Sequence, residues 1–572
     1  MGKKYVIIGG VAGGASVAAR LRRLDEDAQI TMLERGRDVS FSNCALPYFI
    51  GGDLKSSEEL KLVSPDTFWH RYRIKARTLT EAVSIDREKK TVRVKDLATG
   101  QEEELPYDVL FLSPGASPIM PGRIPGIRLP HVFSVRNVMD VERIDRCLNE
   151  QEVKRVAVIG GGFIGLEMAE SLHKRGLEVT VVDMAPQVML PFDMDMAQFL
   201  HKEIISHGVS LMLGDGLQEI HEDGVLLASG KMVAADVVIM AIGVSPETGL
   251  ARNCGLELAP SGHIRVDGSM CTSDPSIYAV GDAVEVIRLQ TGKPTCLPLA
   301  GPALRQARQA ATAQYDQVKD IPGVLGSSVL RVFDLTAAAT GMNEKTLQDE
   351  GIDYDVAFII ANDIVGIMPG SSPIFLKLTF ERGTGKVLGA QAVGRGAAEK
   401  RVDVIATLIR FGGTVYDLKD LDLCYSPLYS TARDAVNQAA LQATNLIEGK
   451  VRQVLFSQVR RLVEEGAFML DVREKAEFDH AHIKGAVNIP LSELRERMAE
   501  VPTDRPVYVY CRSGTRSYNA VRAMMQKGID AYNVAGSFLA LSWHEYYLDQ
   551  TTDRERLMTD YNFRWAERAF FL

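Results

Sequence analysis

Two glycine-punctuated βαβ units constrain this chain more than any other feature. In the first, Tyr5-Val6-Ile7-Ile8 reads as a buried parallel strand. Gly9-Gly10-Val11-Ala12-Gly13-Gly14 turns it into a helix carrying Ala15, Val17, Ala18, Ala19 and Leu21, and a second strand, Ile30 to Leu33, ends at Glu34. Glycines let a backbone approach a pyrophosphate, a helix N-terminus offers N–H groups, and an acid about 20 residues on holds ribose hydroxyls. Val11 stands where a strict G-x-G-x-x-G has its second glycine. The second unit starts with a strand from Val153 to Ile159 and matches the pattern outright in Gly160-Gly161-Gly162-Phe163-Ile164-Gly165. Leu166, Met168, Ala169 and Leu172 then line a helix, and the strand Val179 to Val182 ends at Asp183. Either unit alone is open to reading as a glycine-rich turn of an unrelated α/β protein; two in one chain test each other. Asp183 accepts from a ribose 2′-hydroxyl and repels a 2′-phosphate, so the reading favours NADH and leaves NADPH open to an arginine from elsewhere.

The chain's 572 residues exceed one core and imply three or four domains. A formal net charge of −9 argues against nucleic-acid binding by phosphate neutralisation. The seven cysteines show neither zinc-site spacing nor a disulfide framework, which points to a reducing cytoplasm and no metal site. Cys147, Cys254, Cys271, Cys296 and Cys424 read as packing residues. The N-terminal apolar run passes straight into glycines and reads as a strand rather than a signal peptide. No run approaches the length of a membrane span.

The stretch Ser40-Phe41-Ser42-Asn43-Cys44-Ala45-Leu46-Pro47-Tyr48 holds a single cysteine soon after the first unit. A buried structural cysteine is the competing reading. Further on, Val109 to Ala116 closes the first region with Ser113-Pro114-Gly115-Ala116, Val237 to Gly243 closes the second, and Ile277 to Ala283 reads Tyr-Ala-Val-Gly-Asp around Asp282. With the two βαβ units and Glu34, these segments resemble the pyridine nucleotide-disulfide oxidoreductases.

That resemblance implies an α/β chain with two Rossmann-like dinucleotide-binding domains and an α+β dimerisation domain. The spans are a discontinuous FAD-binding domain at 1–150 and 243–320, an NAD(P)H-binding domain at 151–242 and a dimerisation domain at 325–446. By the same resemblance, Gly9, Gly10, Val11, Ala12, Gly13, Gly14, Glu34, Arg35, Ser113, Gly115, Ala116, Asp282, Ala283, Leu299 and Ala300 line the FAD site, Asp282 meeting the ribityl chain. Gly160, Gly162, Phe163, Ile164, Gly165, Glu167, Asp183 and Gly243 line the nicotinamide nucleotide site. In the third span, the strands Val329 to Phe333 and Phe375 to Phe380 and the helix Arg401 to Phe411, with Val402, Ile405, Leu408 and Ile409 at helical spacing, read as packing.

The cysteine stretch resembles the coenzyme A-disulfide reductase group. Ala12 replaces the histidine of the related peroxidases, which favours a thiol or persulfide substrate. The resemblance implies that Ser16, Arg20, Arg23, Ser40 and Asn43 line a coenzyme A site, and that Arg433 comes from a partner subunit of a homodimer. Cations hold polyphosphates; the plainer reading of Arg20, Arg22 and Arg23 is a solvated helix face. The group's Tyr-Tyr pair before Pro-Gly is absent: the chain reads Gly366-Ile367-Met368-Pro369-Gly370, and only the other expected tyrosine, Tyr425, remains.

Beyond Gly449-Lys450, a strand ends in Asp471-Val472-Arg473-Glu474, and Val507 to Tyr510 leads into Cys511-Arg512-Ser513-Gly514-Thr515-Arg516-Ser517. A cysteine in a ring of N–H groups at a helix N-terminus has a lowered thiol pKa and holds an anionic persulfide. These segments resemble a rhodanese domain, which implies a C-terminal α/β rhodanese domain at 455–572; Cys511 to Arg516 is Cys-x4-Arg, tighter than the Cys-x5-Arg of the related phosphatases.

The expected activity is FAD-dependent NAD(P)H reduction of a persulfide, polysulfide or coenzyme A disulfide at Cys44, releasing hydrosulfide. Cys511 and Arg516 serve sulfur transfer and Tyr425 assists the leaving group. Coenzyme A is a bound thiol or substrate. The alternatives are an NADH oxidase or peroxidase working through a Cys44 sulfenate, and a non-reductive sulfur carrier acting through Cys511.

Overall fold

The computed structural model describes residues 2–318, 322–561 and 563. Parts of the expected spans lie outside the described residues: Met1, residues 319 and 320 of the FAD span, and 562 and 564–572 of the rhodanese span. The chain forms two compact units, Met1–Met184 with Asp215–Val324, and Ala185–Gly214 with Leu325–Leu572.

In the first unit, strand Lys4–Ile8 pairs in parallel with Gln29–Leu33 on one side and Val109–Leu112 on the other. Ile74–Arg77 and Ile277–Ala279 extend the sheet at its two edges. Both faces are covered, so the central strand is apolar throughout: Tyr5 and Ile7 pack with Val17, Leu21 and Phe111, while Val6 and Ile8 pack with Leu33, Leu110 and Ala279. Register then fixes where the chemistry collects. Ile8 lies opposite both Leu33 and Leu112, and Leu112 opposite Ala279. Gly9, Glu34, Ser113 and the Val280-Gly281-Asp282 turn therefore leave the same carboxyl end of the sheet. A second parallel set repeats the arrangement: Ile159 of Arg155–Ile159 opposes Val182 of Glu178–Asp183 and Met240 of Val237–Met240. The short strands Ala116–Pro118 and Val244–Pro246 pair antiparallel.

The second unit holds an antiparallel sheet in the order Ser328–Val332, Leu335–Gly341, Val387–Gly394, Pro373–Glu381 and Tyr354–Asn362. Helices Ala398–Arg410 and Ala435–Ile447 pack on it through Val402, Ile405, Ile409, Val436 and Ala440. A parallel sheet follows, Gln453–Leu455, Ala531–Ala535, Val507–Tyr510, Phe468–Asp471 and Val487–Asn488 in that order. Helix Met194–Ser206 belongs to this unit although it lies within the 151–242 span. Its Phe199 ring packs tilted against Phe375 (4.5 Å between centroids), stacks on Phe456 (5.5 Å), and meets Trp543 edge-on at 6.2 Å. That aromatic cluster unites the antiparallel sheet with the C-terminal segment.

Most strand and helix limits fall within about two residues of the sequence reading, as end fraying allows; the helix read from Arg401 starts at Ala398 and the strand Val237 to Gly243 ends at Met240. Two cysteines depart from it: Cys296 and Cys424 are exposed in connecting segments rather than packed.

Candidate functional site

Both glycine loops are shaped by the same two contacts. Gly9 and Gly160 take φ of +101° and +113°, which glycine alone adopts without strain. A Cβ on Gly14 would stand 1.8 Å from the Gly9 carbonyl oxygen, and one on Gly165 1.9 Å from that of Gly160. Val11, in the non-glycine place, precedes helix Ala12–Leu24, and Gly162 precedes helix Phe163–Lys174; neither helix start has a side-chain cap. The acids that end the following strands brace the loops. Glu34 accepts from the N–H groups of Gly10 (2.8 Å) and Gly36 (2.7 Å), and Asp183 accepts from that of Gly161 at 2.6 Å. Bare backbone, uncapped helix N-termini and a carboxylate at each strand end fit a dinucleotide at both loops.

The neighbouring positions fall into place around the first loop. Ser113 donates its N–H to the Ile8 carbonyl, and its Oγ lies 2.4 Å from where a Cβ on Gly13 would project. Gly115 (φ +70°) leads to Ala116, which pairs with Pro246 beyond Gly243 (φ +114°). Arg35 faces the carboxylates of Glu247 (3.5 Å) and Glu81 (3.9 Å). Ala283 is buried, and Leu299 precedes helix Ala300–Thr312. Burial pushes the Asp282 carboxyl up, against the opposing charges of Arg136 and His263.

Cys44 lies in the short turn Asn43–Ala45, ahead of helix Leu46–Ile50, and is exposed. The competing reading of a buried structural cysteine does not hold. Yet the protein around its sulfur is dense enough that desolvation, joined by the charges of Glu167 and Asp282, pushes the thiol up. The thiolate expected there is opposed by the polypeptide's own carboxylates. Glu167 belongs to the helix of the second glycine loop, and Asp282 follows strand Ile277–Ala279, so two distant parts of the chain act on one thiol. Burial lifts the Glu167 carboxyl to about 7, with Tyr48 lowering it and Glu170 raising it. Phe163 and Ile164 open the same helix, Ile164 partly exposed.

The arginines of the first helix divide. Arg22 is buried and donates to the carbonyls of Tyr72, Asp25, Glu26, Ala28 and Arg73, so it is a clamp and not part of a solvated face. Arg20 donates to Thr312 Oγ1 at 3.3 Å; desolvation, then the charges of Arg308 and Arg23, lower its pKa. Asp316 opposes them with a negative charge, and cations gathered around one arginine favour an anion. Arg308, from helix Ala300–Thr312, carried no sequence signal of its own. Ser16 is half-buried on the same helix as Arg20. Ser40 takes φ +48° and donates its N–H to Gly10 at 2.8 Å, which ties the cysteine stretch to the first glycine loop. Asn43 is exposed beside Cys44.

In the second unit, Tyr425 is 52% exposed and Ile367 is 85% exposed. The Val365 N–H donates to the Pro427 carbonyl at 3.3 Å, so the loop lacking the tyrosine pair borders the loop that keeps Tyr425. Arg433 is exposed, just before helix Ala435–Ile447, whose Asp434 cap pairs with buried Arg401 at 2.9 Å.

Cys511 is 1% exposed at the end of strand Val507–Tyr510. Its sulfur accepts from the Gly514 N–H (3.1 Å) and from the hydroxyls of Ser517 (3.4 Å) and Ser537 (3.8 Å). The cradle expected to be a ring of N–H groups thus includes two hydroxyls. Ser537 also accepts the Cys511 N–H at 3.1 Å. Arg516, opening helix Thr515–Met525, makes a two-pronged pair with Glu477 (2.5 and 2.7 Å). Glu477 lies outside the residues that the sequence singles out.

Comparison with known proteins follows this geometry. The family model for pyridine nucleotide-disulphide oxidoreductases matches residues 3–314, that family's dimerisation domain matches 328–436, and the rhodanese-like domain matches 455–543. A coenzyme A disulfide reductase of Staphylococcus epidermidis is 33% identical over 77% of this chain and 99% of its own length. The crystal structure of reduced CoADR-RHD from Bacillus anthracis superposes with a TM-score of 0.92 at 45% identity, covering 96% of this chain and 99% of that one. An NAD-dependent persulfide reductase from A. fulgidus gives 0.89 at 35% identity, covering 94% and 99%.

Proposed function

This chain belongs to the pyridine nucleotide-disulphide oxidoreductases, and from that premise we propose that it is an FAD-dependent NAD(P)H reductase of persulfides, polysulfides or coenzyme A disulfide, releasing hydrosulfide, with a fused sulfurtransferase domain. It works with FAD and NAD(H). The observation that carries the reading is an exposed thiol, Cys44, on which act the charges of Glu167, from the helix after the second glycine loop, and Asp282, from the turn after strand Ile277–Ala279, in a chain that also cradles a second sulfur at Cys511.

The chemistry that FAD supplies when bound is the relay of two electrons from the nicotinamide to sulfur. The rest falls to side chains. The Cys44 sulfur attacks the carbon-bound sulfur of a persulfide, hydrosulfide leaves, and a mixed disulfide between Cys44 and the thiol remains. Two electrons and one proton then return the Cys44 thiolate and free the thiol. Glu167, with its carboxyl near 7, is suited to hold that proton beside Cys44. Arg20 and Arg23 with Arg308 hold the phosphates of coenzyme A, with Ser16, Ser40 and Asn43 toward the thiol end. Glu34 and Asp183 set the two glycine loops for the ribose and pyrophosphate groups, and Asp183 favours NADH.

The domain spans follow the four segments 1–150 with 243–320, 151–242, 325–446 and 455–572. The dimerisation domain supports a homodimer, in which Tyr425 and Arg433 serve the partner's Cys44 site. No helix among the described residues is long and apolar enough to cross a membrane, and a cytoplasmic location completes the reading.

The test is anaerobic NADH oxidation by the FAD-loaded protein, with coenzyme A persulfide, coenzyme A disulfide and polysulfide compared and hydrosulfide counted. NADH loss matched by hydrosulfide release is expected. Turnover only with oxygen or peroxide would move the assignment to an oxidase or peroxidase. Cys44→Ser is expected to abolish persulfide-dependent NADH oxidation and to spare sulfur transfer to Cys511; persistence of NADH oxidation would show the wrong nucleophile.

A further inference from the structure

The Cys511 cradle is set among charged side chains from three segments. Arg512 follows the cysteine and is nearly buried, and Arg516 opens the next helix. Both guanidinium charges act on the Cys511 sulfur. Left alone, two cations over a buried sulfur select for donors with the most negative charge. They are not left alone. Glu477, from helix Lys475–His480, reaches across 39 positions of sequence to Arg516 with both carboxylate oxygens, at 2.5 and 2.7 Å. Its side chain is 13% exposed, so solvent screens it little. Burial works to raise the carboxyl, but the hydrogen bonds and charge of Arg516 overcome that and hold it below the ordinary value, so it is ionised. Its charge also reaches Arg512. A full negative charge is thus built into the rim of a cationic pocket.

We propose that Glu477 determines donor specificity at Cys511: it cancels part of the cationic field, so that persulfide monoanions are preferred over dianionic donors such as thiosulfate. The inference rests on the reading of Cys511 as a sulfur acceptor. The two transfers are balanced in the same way. The Cys511 thiolate attacks the outer sulfur of a persulfide RSS⁻, the S–S bond breaks, and RS⁻ leaves, giving Cys511–S–S⁻. With thiosulfate the attack breaks the bond between its two sulfurs and sulfite leaves with both electrons of that bond. Only the charge brought to the pocket differs, one in the first case and two in the second. A fixed negative charge therefore weighs more heavily on thiosulfate. Arg516, its fork occupied by Glu477, is a positioned charge rather than an open anion clamp.

The experiment uses the full-length FAD-loaded protein with Glu477→Gln, Glu477→Asp and no substitution. Sulfur transfer to cyanide is followed with thiosulfate and with hydroxyethyl persulfide, and the Cys511 persulfide is checked by mass spectrometry. Glu477→Gln is expected to raise the ratio of kcat/KM for thiosulfate to that for the persulfide by about tenfold. Glu477→Asp, which keeps the charge, is expected to hold the ratio within about twofold of the unsubstituted protein. An unchanged ratio in Glu477→Gln would overturn the proposal even if both rates fall together, since that outcome marks Glu477 as a positioning residue only. Absence of a Cys511 persulfide with either donor in the unsubstituted protein would instead overturn the acceptor reading beneath it.

Discussion

Tyr48 Oη donates to Glu167 Oε1 at 3.4 Å, which links the segment following Cys44 to the helix of the second glycine loop. Burial lifts the Glu167 carboxyl to about 7, and the Cys44 thiol is pushed above its ordinary value, so Glu167 already carries its charge when Cys44 ionises. A carboxylate beside a thiol raises the thiol pKa. Removing that charge works in the opposite direction. Glu167→Gln is expected to move the midpoint of Cys44 alkylation against pH down by about one unit, read from iodoacetamide rates with Cys44 peptides resolved by mass spectrometry. A midpoint that stays or rises would remove Glu167 from the account of this thiol.

The close approaches at Gly14 and Gly165 separate the two nucleotides. Each would place a methyl against a backbone carbonyl that has nowhere to go, at 1.8 and 1.9 Å. Gly14→Ala is expected to lose bound FAD, seen as missing flavin absorbance after purification. Gly165→Ala is expected to retain FAD and raise KM for NADH by about tenfold or more, matching an overpacking cost of about 1–3 kcal/mol.

Asp183 braces the second loop through the Gly161 N–H at 2.6 Å. A hydrogen bond to a charged acceptor contributes about 1.5–3 kcal/mol. Asp183→Ala therefore raises KM for NADH by about tenfold or more, and narrows the preference for NADH over NADPH because the charge that repels a 2′-phosphate is gone. Steady-state kinetics with both nucleotides read this directly.

Ser537 is held at φ +49° while its hydroxyl accepts the Cys511 N–H and faces the sulfur. Ser537→Gly keeps the backbone conformation and deletes the hydroxyl, leaving a buried N–H without its acceptor at a cost of about 1–3 kcal/mol. Sulfur transfer through Cys511 is expected to fall about tenfold or more, while Cys44-dependent NADH oxidation with a coenzyme A persulfide supplied directly is unchanged.

Much of this architecture was legible in the chain. Apolar runs buried on both faces gave their strands away, and the glycine patterns announced the two strand-to-helix turns because a positive φ is a local requirement. Arg22 and Glu477 were not legible. Arg22 is buried because carbonyls as far off as Tyr72 and Arg73 receive it, and a helix-face pattern cannot distinguish it from Arg20 and Arg23. Glu477 sits in an ordinary acidic helix until the fold brings Arg516 to it. The elevation of Cys44 was hidden for the same reason: desolvation by the folded chain comes first, and the charges of Glu167 and Asp282, from distant parts of the sequence, add to it.

Helix Met194–Ser206, sewn into the second unit between two stretches of the first, bears on how this fusion can be divided. The chain has no single seam. A fragment beginning at residue 325 would lack the helix whose Phe199 sits among Phe375, Phe456 and Trp543, and would present those rings to water as an adhesive patch. A fragment cut at that boundary is therefore expected to aggregate, because the thirteen-residue helix that covers its rings stays behind in the middle of the chain.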